Sequence, residues 1–470
     1  MSTAIVCFRR DLRLEDNPAL DAALRAHERI ACVYIHAPEE QAPWAPGAAS
    51  RWWLHHSLVA LDGQLRRRGG ALTLLRGPTL AALKCAIDAC GAQAVYWNRL
   101  YEPAILARDA AIKRELRDRG LDVRSFNANL LCEPCQAQTG QGGPYKVFTP
   151  FWRNVRAQLV PSPPIPAPAR IDAARLETGV ALESLRLLPR LPWDAGFHDV
   201  WQPGEAGAQS RLRRFLDDCI DSYRTGRDRP DRDDTSMLSP HLHFGEIGPR
   251  QIFWRIHERA HDTAAREAGE HYVRELGWRE FSHHLLYHFP QTPQSNLNPQ
   301  FDRFPWAPEN GQAIRRWQRG STGIPIVDAG MRQLWSTGWM HNRVRMIVAS
   351  FLTKNLRQHW RIGARWFWDT LVDADLANNT QGWQWTAGCG ADAAPYFRVF
   401  NPVTQGERFD PDGTYVRRWV PELRSAPAAL IQQPWRDESL LRATGYPAPI
   451  VDLRQSREAA LAAYRKSRDG

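Results

Sequence analysis

The chain has 470 residues, of which 43% are hydrophobic and 24% are charged, and its formal net charge is +10. A chain of this length exceeds the size at which one hydrophobic core usually keeps growing, so two or three domains are expected. No apolar run is long enough to cross a bilayer, and the N-terminus meets arginines before a signal-peptide core could form. We therefore expect a cytoplasmic protein. The excess of arginine favours a polyanionic partner, with nucleic acid as the first choice.

The numbers of cysteines and tryptophans further limit which class of protein this can be. Eight cysteines in a chain of this length are too sparse for a disulfide scaffold. The CxxC pair Cys132 and Cys135 has no second CxxC in the chain, so we interpret it as incidental and predict no metal site. The chain has 20 tryptophans, most of them in the C-terminal half. Indoles usually fill a helical core, but they also stack on planar ligands and bases.

The N-terminal part of the chain alternates short β-like runs with longer helical ones. The predicted strands are 4–8, 29–35, 71–75, 94–97 and 122–126, with helices at 51–69, 79–91 and 105–120 between them. This alternation predicts an α/β domain with a doubly wound, Rossmann-like parallel sheet over residues 1–131. No GxGxxG or GxxxxGK follows a strand, so we do not expect a dinucleotide bound in the Rossmann manner.

The alternation stops after residue 131. Residues 160–170 (VPSPPIPAPAR) form a proline-rich extended stretch, and the chain up to residue 200 has few periodic signals. We predict an interdomain linker over 132–200 that crosses a surface. Amphipathic helical patterns dominate from there on, so 201–470 is predicted to be an all-helical domain.

The segment 271–289 (HYVRELGWREFSHHLLYHF) is typical of a helix. At 3.6 residues per turn, one face would carry Glu275, Trp278, Arg279 and Ser282. Glu275 and Arg279 could form an ordinary surface pair at i,i+4. If this face instead lines a cavity, a carboxyl group beside an indole is a functional feature.

The segment 337–352 (TGWMHNRVRMIVASFL) has a similar pattern. Trp339, Asn342, Arg343 and Met346 stand at i, i+3, i+4 and i+7, which predicts one helical stripe. Tryptophan and methionine at this spacing commonly belong to a core. A buried asparagine, however, needs hydrogen-bond partners, which favours a functional site.

The segment 234–246 (DTSMLSPHLHFGE) places hydroxyl groups before a predicted helix. Thr235, Ser236 and Ser239 could form a phosphate-binding site with nearby backbone amides. The alternative is that these side chains only cap the helix.

Together these segments resemble the photolyase and cryptochrome family of blue-light flavoproteins, and most of all the class I cyclobutane pyrimidine dimer photolyases. Similar motifs follow one another in the family's order over essentially the whole chain, at 8–20 (FRRDLRLEDNPAL), 144–153, 234–246, 276–281, 322–346, 373–385 (DADLANNTQGWQW) and 392–411. The resemblance implies an α/β antenna domain, and a helical domain that binds FAD and is active with reduced FAD.

The resemblance also implies which residues hold the flavin. The matching positions are Tyr223, Thr235, Ser236, Met237, Leu238, Ser239, Tyr272, Arg279, Trp339, Asn342, Arg345, Asp373, Asp375 and Asn379. Met237 replaces an arginine common in the family, and Tyr272 stands where some members have tryptophan. Of the two adjacent asparagines, the spacing along the sequence to Trp383 matches the family residue that faces flavin N5 to Asn379 and not to Asn378. An amide there can accommodate different flavin protonation states without itself ionising.

The resemblance assigns two further groups of residues. Trp306, Trp360 and Trp383 match the tryptophan chain that re-reduces the flavin in light, and Glu275 and Asn379 complete the predicted catalytic set. The predicted lesion and DNA contacts are Arg227, Glu275, Trp278, Asn342, Arg343, Met346, Trp385, Arg398 and Gln405. Flipping of a base out of the duplex is a known feature of photolyases, and phosphate contacts make such binding salt-dependent.

The implied activity is light-driven splitting of cyclobutane pyrimidine dimers by electron transfer from reduced FAD. The expected partner is UV-damaged DNA, double- or single-stranded, and we expect a monomer without an obligate protein partner. A (6-4) photolyase is disfavoured by the WMHNR sequence, and DASH-type proteins are disfavoured by Trp385. A signalling cryptochrome is disfavoured by Asn379, and a generic basic nucleotide-binding protein is the remaining alternative.

The second, antenna chromophore has no assigned identity. Folate-binding members carry an acidic residue shortly before the ARD at 107–109, whereas this chain has Ala104 and Ile105 there. The sequence therefore disfavours folate and leaves a deazaflavin, a second flavin or an empty cleft open.

Overall fold

A computed structural model describes residues 2–260, 262–393 and 397–469 of the chain. Its N-terminal part contains five parallel strands, β1 (Thr3–Phe8), β2 (Arg29–His36), β3 (Leu72–Arg76), β4 (Ala94–Asn98) and β5 (Asp122–Phe126). Four helices alternate with them, α1 (Pro18–Ala26), α2 (Ala48–Arg66), α3 (Thr79–Cys90) and α4 (Pro103–Asp118). The predicted strands and helices are confirmed to within a few residues.

The strand order β3-β2-β1-β4-β5 makes this a doubly wound sheet. Along β1 the side chains alternate between two cores: Ala4, Val6 and Phe8 pack with α1 and α2 residues, whereas Ile5 and Cys7 pack with α3 and α4 residues. A strand covered on both faces reads as a continuous apolar run, which explains the sequence AIVCF.

The segment predicted as a linker is folded against both domains. It contains helix α5 (Phe148–Gln158), whose Phe148, Phe151 and Trp152 join the core of the helical domain. Farther on, Ile171 and Leu185 pack into the core under the sheet, and Ala173 forms a parallel bridge with Ile30. The connection is therefore part of both cores, and the domain boundaries at 131 and 200 stay a prediction.

The rest of the described chain is helical, as predicted. It comprises α6 (Glu205–Arg214), α7 (Tyr223–Gly226), α8 (Ser239–His243), α9 (Pro249–Arg259), α10 (Thr263–His288), α11 (Gly311–Gln318), α12 (Pro325–Thr337), α13 (Asn342–Ser350), α14 (Trp360–Thr370), α15 (Leu376–Ala387), α16 (Pro402–Phe409), α17 (Thr414–Trp419), α18 (Glu438–Thr444) and α19 (Leu453–Asp469). Single π-helical turns follow α6 and α13, at Phe215–Cys219 and Phe351–Asn355. None of the described helices is long and apolar enough to cross a membrane.

A buried carboxylate joins the two domains. Glu246 accepts hydrogen bonds from Trp53 Nε1 (3.0 Å) and Ser57 on α2, from the Gly204 amide (2.7 Å), and from His241 on α8. A buried charge of this kind needs several donors, and here they come from both domains. The network therefore fixes α8 relative to the sheet domain.

Candidate functional site

A cavity of about 420 Å³ lies in the helical domain among α10, α13 and α15. Most of the residues predicted to contact the lesion or the flavin ring line it: Arg227, Glu275, Trp278, Asn342, Arg343, Arg345, Met346, Asp373, Asp375, Asn379 and Trp385. Trp383 of the predicted electron relay lines it as well. These positions span more than 150 residues of sequence, so the fold brings together motifs that the sequence only places in order.

Helix α10 supplies one wall of the cavity. Glu275, Trp278 and Ser282 face the cavity, as the helical spacing predicted. On another side of the helix Gly277 lies so close to Trp152 that a Cβ there would approach Trp152 Cε3 to 2.5 Å. Trp278 stacks on Phe148 of α5, with ring centroids 3.7 Å apart and planes at 9°. This stacking holds the indole rigidly at the cavity wall.

Arg279 does not share this face in the way predicted. Its Nη1 donates to the Asn129 carbonyl oxygen at 2.7 Å, so the guanidinium points towards the N-terminal domain. Glu275 pairs instead with Arg227, whose Nη2 donates to Oε2 at 2.9 Å and whose Nη1 donates to Oε1. Burial by itself would lower the pKa of Arg227, but the pairing with Glu275 outweighs burial and raises this pKa. The alternative of an i,i+4 surface pair between Glu275 and Arg279 is therefore wrong.

Helix α13 begins later than predicted. Gly338 ends α12 in the left-handed conformation (φ 67°), and the His341 side chain accepts from the Arg343 amide to cap α13. Trp339 therefore lies outside the helix, and the predicted single stripe from Trp339 to Met346 is wrong for its first member. Asn342, Arg343 and Met346 do face the cavity together.

Trp339 contributes to the site through another contact. Its Nε1 donates to Ser239 Oγ at 3.3 Å, and the Arg345 guanidinium lies 5.9 Å from the centre of its ring. Arg345 in turn donates to Asp373 Oδ2 at 2.8 Å. Arg345 and Asp373, both predicted to hold the flavin, thus form an ion pair that connects the α8 region to the cavity.

Local hydrogen bonds at the start of α15 fix the side chains of Asp375 and Asn379. Asp375 caps the helix, because its Oδ1 accepts from the backbone and side-chain amides of Asn378, both at 2.8 Å. Asn379 donates from Nδ2 to the Ala364 carbonyl oxygen at 2.9 Å. The two neighbouring asparagines therefore make different contacts. Asn378 hydrogen-bonds to the N-cap residue Asp375. Asn379 bonds to Ala364 through its amide nitrogen, and its amide oxygen takes no part in that bond.

Several other residues predicted to hold the flavin lie around α7, α8 and α10. Ser236 Oγ lies 2.8 Å from the Tyr272 hydroxyl, and the rings of Tyr272 and Tyr223 are 5.2 Å apart at 74°. Leu238 is the N-cap residue of α8, and none of the described side chains caps that helix. Ser236 Oγ accepts instead from the amide of Leu238 itself, at 3.3 Å. The alternative that the hydroxyls of Thr235, Ser236 and Ser239 only cap α8 is therefore wrong.

Met237 stands where the family commonly has arginine. It adopts a positive φ of 49°, and its side chain packs against the core under the sheet. Arg211 Nη1 lies 3.6 Å from Met237 Sδ. A guanidinium is thus present next to this position, although it comes from α6.

The three tryptophans of the predicted electron relay lie in one core cluster of the helical domain. Trp383 is buried and its ring edge meets Phe367 at 5.0 Å and 73°. Trp360 is also buried and donates from Nε1 to Asn296 Oδ1 at 2.9 Å. The His359 ring lies 5.7 Å from Trp360 and 4.9 Å from the partly exposed Trp306.

Two predicted DNA contacts lie at or beside the cavity, and a third lies on helix α16. Trp385 lines it and donates from Nε1 to the Asp392 carbonyl oxygen at 3.1 Å. Arg398 lines a neighbouring cavity of about 380 Å³ that shares Trp385 as a wall. Gln405 lies on α16, whose Phe409 packs under the Arg343 guanidinium at 4.4 Å. Ala394, Pro395 and Tyr396, part of the last family-like motif, lie outside the described residues.

Sequence reasoning missed several side chains that the structure adds to the site. Asp228 pairs with Arg343, whose Nη2 donates to it at 2.8 Å. His243 and His283 lie 3.8 and 3.5 Å from Asp375 Oδ2. Both histidines stand inside motifs that the sequence singled out, but neither the spacing nor the resemblance pointed to them.

The cavity has the polar chemistry that a flavin ring requires. Two buried polar atoms in its wall have no hydrogen-bond partner in the described structure, Asp373 Oδ1 and Gln381 Nε2. Buried polar atoms are nearly always paired, so these two atoms indicate a polar ligand. The unpaired acceptor and donor, the Arg345 guanidinium and the Asn379 amide suit a ring that both donates and accepts hydrogen bonds. The residues present therefore fit the FAD ring.

The fold and this cavity are those of a flavoprotein with an N-terminal parallel-sheet domain and a helical FAD-binding domain. The family described as "FAD binding domain of DNA photolyase" matches residues 272–466, and "DNA photolyase" matches residues 4–169. A deoxyribodipyrimidine photo-lyase of Agrobacterium fabrum is 47% identical over 98% of this chain and 97% of its own length. The chain belongs to the photolyase and cryptochrome family.

Two further relatives show the breadth of that family. Cryptochrome-1 of Arabidopsis thaliana is 40% identical over 97% of this chain and 69% of its own length. The crystal structure of a bacterial class III photolyase from Agrobacterium tumefaciens superposes with a TM-score of 0.95 at 46% identity, covering 100% of this chain and 98% of that one. A class I assignment of this chain thus stays a prediction.

Proposed function

We propose that this protein uses light to split cyclobutane pyrimidine dimers in DNA. The observation that supports this activity most strongly is the cavity wall, where Trp278 and Trp385 lie together with Glu275, Asn342 and Asn379. One cavity thus contains apolar surfaces for stacked pyrimidines, polar groups for their edges and the amide that would face the flavin.

FAD would be held by residues on two sides of the site. Arg345, Asp373, Asp375 and Asn379 would contact its ring, and the residues around Tyr223, Ser236 and Tyr272 would contact its phosphates. When bound and reduced, FAD supplies an electron donor that light can excite. The protein groups then have to orient the ring, neutralise its charge and exclude water.

The lesion would be recognised by stacking and by hydrogen bonds. Phe148 supports the Trp278 indole from behind, so this wall is rigid before the substrate arrives. The Arg227 guanidinium fixes both oxygens of Glu275, and Asn342 at the start of α13 offers an amide on another side of the cavity. Preorganised polar groups of this kind stabilise charge that develops on the dimer.

DNA binding would use arginines around the same opening. Arg227 and Arg343 line the cavity, and Arg398 lies beside it. Arg227 and Arg343 are each paired with a carboxylate in this structure. Because phosphate contacts release counterions, affinity for DNA should fall steeply as salt rises.

The tryptophans would form a relay from the surface to the buried ring. Trp306 is partly exposed, Trp360 and Trp383 are buried, and Trp383 itself lines the cavity. The Trp383 ring packs on Gly363, which lies one helical turn after Trp360 on α14. Electrons could therefore reach the flavin site through indoles of one packed core.

An antenna chromophore stays a proposal without an assigned identity. Ala104 and Ile105 line a small interdomain cavity of about 130 Å³, together with Trp44 and Trp368. A deazaflavin, a second flavin or no second chromophore remain the alternatives to test by extracting the purified protein.

The activity is tested by illuminating the protein, loaded with chemically reduced FAD, with DNA carrying one defined lesion. We expect loss of the cyclobutane dimer and no repair of a (6-4) product. Repair of the (6-4) product alone would identify the other photolyase activity. Failure to repair either lesion, with reduced FAD bound, would favour a cryptochrome, as the similarity to the Arabidopsis protein allows.

A further inference from the structure

Two histidines flank a buried carboxylate at the wall of the flavin cavity. Asp375, 8% exposed, lies at the start of α15. Its Oδ2 is 3.5 Å from His283 Nε2 on α10 and 3.8 Å from His243 Nδ1 on α8. Three helices thus meet at one acidic group, and neither histidine belongs to the predicted flavin or lesion contacts.

The surroundings of Asp375 favour its ionised form. Oδ1 already accepts two hydrogen bonds from Asn378, and Oδ2 faces only the two imidazoles among its described polar neighbours. Although burial opposes it, the nearby His283 and His243 hold the pKa of Asp375 well below its ordinary value. A buried anion in this position requires a compensating positive charge close by.

The His283 ring lies between two oxygen atoms that can accept hydrogen bonds. His283 Nδ1 lies 3.0 Å from the Arg279 carbonyl oxygen, and a carbonyl can only accept, so Nδ1 carries a proton. Nε2 of the same ring faces the Asp375 carboxylate, which is also an acceptor. The ring can donate to both oxygens only as an imidazolium, with both nitrogens protonated.

The other charged groups nearby have partners of their own. Burial lowers the pKa of His243, which favours its neutral form. Glu280, which follows Arg279 on α10, accepts from the backbone amides of Leu131 and Cys132. Arg10 and Glu102, which influence His243 from the N-terminal domain, pair with each other.

We propose that His283 is a positioning residue whose imidazolium neutralises Asp375, so that the cavity accepts the negatively charged reduced flavin. Without this cation, the uncompensated Asp375 carboxylate would repel added negative charge on a ring bound in the same cavity. The flavin would then be harder to reduce. This role concerns the charge of the site and is separate from recognition of the lesion.

The experiment measures the two-electron midpoint potential of bound FAD by spectroelectrochemistry. We expect His283→Asn to make it more negative, with at least a tenfold smaller equilibrium constant for reduction, which corresponds to about 30 mV. His288→Asn is the matched control, because His288 lies on the same helix but contacts the Pro134 carbonyl oxygen; we expect it to leave the potential unchanged.

Repeating the His283→Asn substitution in an Asp375→Asn variant separates charge compensation from a general disturbance of the helix. In Asp375→Asn protein the anion is gone, so adding His283→Asn should change the potential much less than it does in the wild type. An unchanged potential in the single variant, or an equal change in both backgrounds, would overturn the proposal.

A direct measurement covers the case in which His283→Asn fails to fold or to retain FAD. Side-chain nitrogen NMR of the wild-type holoprotein reports whether each imidazole nitrogen carries a proton, and through-bond correlations to the His283 backbone assign the signal. Two protonated nitrogens at pH 7.5 are expected for His283. A neutral ring at that pH would refute the proposed charge.

Discussion

Replacing Gly363 with alanine should displace the innermost tryptophan of the relay. Gly363 lies inside α14, and a Cβ built there would come within 2.5 Å of Trp383 Cζ2 and closer still to Cη2 and Cζ3. Trp383 is itself only 2% exposed. Its ring cannot move aside without disturbing Phe367 and Trp317, which its edge contacts.

The expected cost follows from two opposing effects. Alanine in place of glycine inside a helix gains about 1 kcal/mol from propensity. Overpacking of a rigid core costs about 1–3 kcal/mol, and a ring this close favours the upper end. We expect Gly363→Ala to lower the free energy of unfolding by about 2 kcal/mol.

Gly63→Ala is the matched control, because Gly63 lies inside α2 and its nearest group would be Arg67 Nη1 at 3.8 Å. This variant should be stabilised by about 1 kcal/mol from the same propensity effect. The difference between the two variants therefore isolates the contact with Trp383.

The assay combines denaturant unfolding, followed by near-UV circular dichroism, with the rate of light-driven flavin reduction. Gly363→Ala should lose stability and photoreduce more slowly, while Gly63→Ala should photoreduce at the wild-type rate. If Gly363→Ala were as stable as Gly63→Ala and photoreduced normally, the packing of Trp383 on Gly363 would be wrong.

Three further variants test other parts of the site. Trp383→Phe should abolish photoreduction yet repair dimers at the wild-type rate once the flavin is reduced chemically; equal loss of both activities would contradict a relay role. Glu275→Ala should weaken repair at least tenfold and leave photoreduction intact, which single-turnover repair and flavin absorbance can separate. Burial lowers the pKa of His341 from 6.5 to about 4. Between these two pH values the unfolded chain binds a proton at His341 that the folded protein does not bind. The free energy of unfolding therefore falls as the pH falls from 6.5 towards 4, by up to about 3 kcal/mol. His341→Asn keeps an N-cap acceptor and cannot titrate, so its unfolding free energy should depend less on pH in that range; an unchanged slope would show that His341 does not contribute.

Elements with a clear period could be predicted from the sequence. The five strands and three of the four helices between them were located, because strands buried on both faces are short apolar runs between amphipathic helices. Helix α1 (Pro18–Ala26) was not predicted. Helix α5 was missed, although Phe148, Phe151, Trp152 and Val155 lie at the i, i+3, i+4 and i+7 spacing of a buried face. The prolines that follow drew the whole segment into a predicted linker.

Local rules also decided where α13 begins. The pattern from Trp339 to Met346 has a helical period, but Gly338 can adopt the left-handed conformation that ends α12. His341 then starts the next helix. Helical periodicity in the sequence therefore predicts that side chains share one helix face only when no helix cap lies within the periodic segment.

The sequence by itself determined the family, the two kinds of domain and most of the residues that meet in the cavity, because those residues stand in motifs that keep their order and spacing. The tertiary structure alone decided the partners. It pairs Glu275 with Arg227 instead of Arg279, places Asp228 on Arg343, and sets His283 beside Asp375. Spacing within a helix reports which side chains share a face, whereas a partner from another helix depends on how the helices pack.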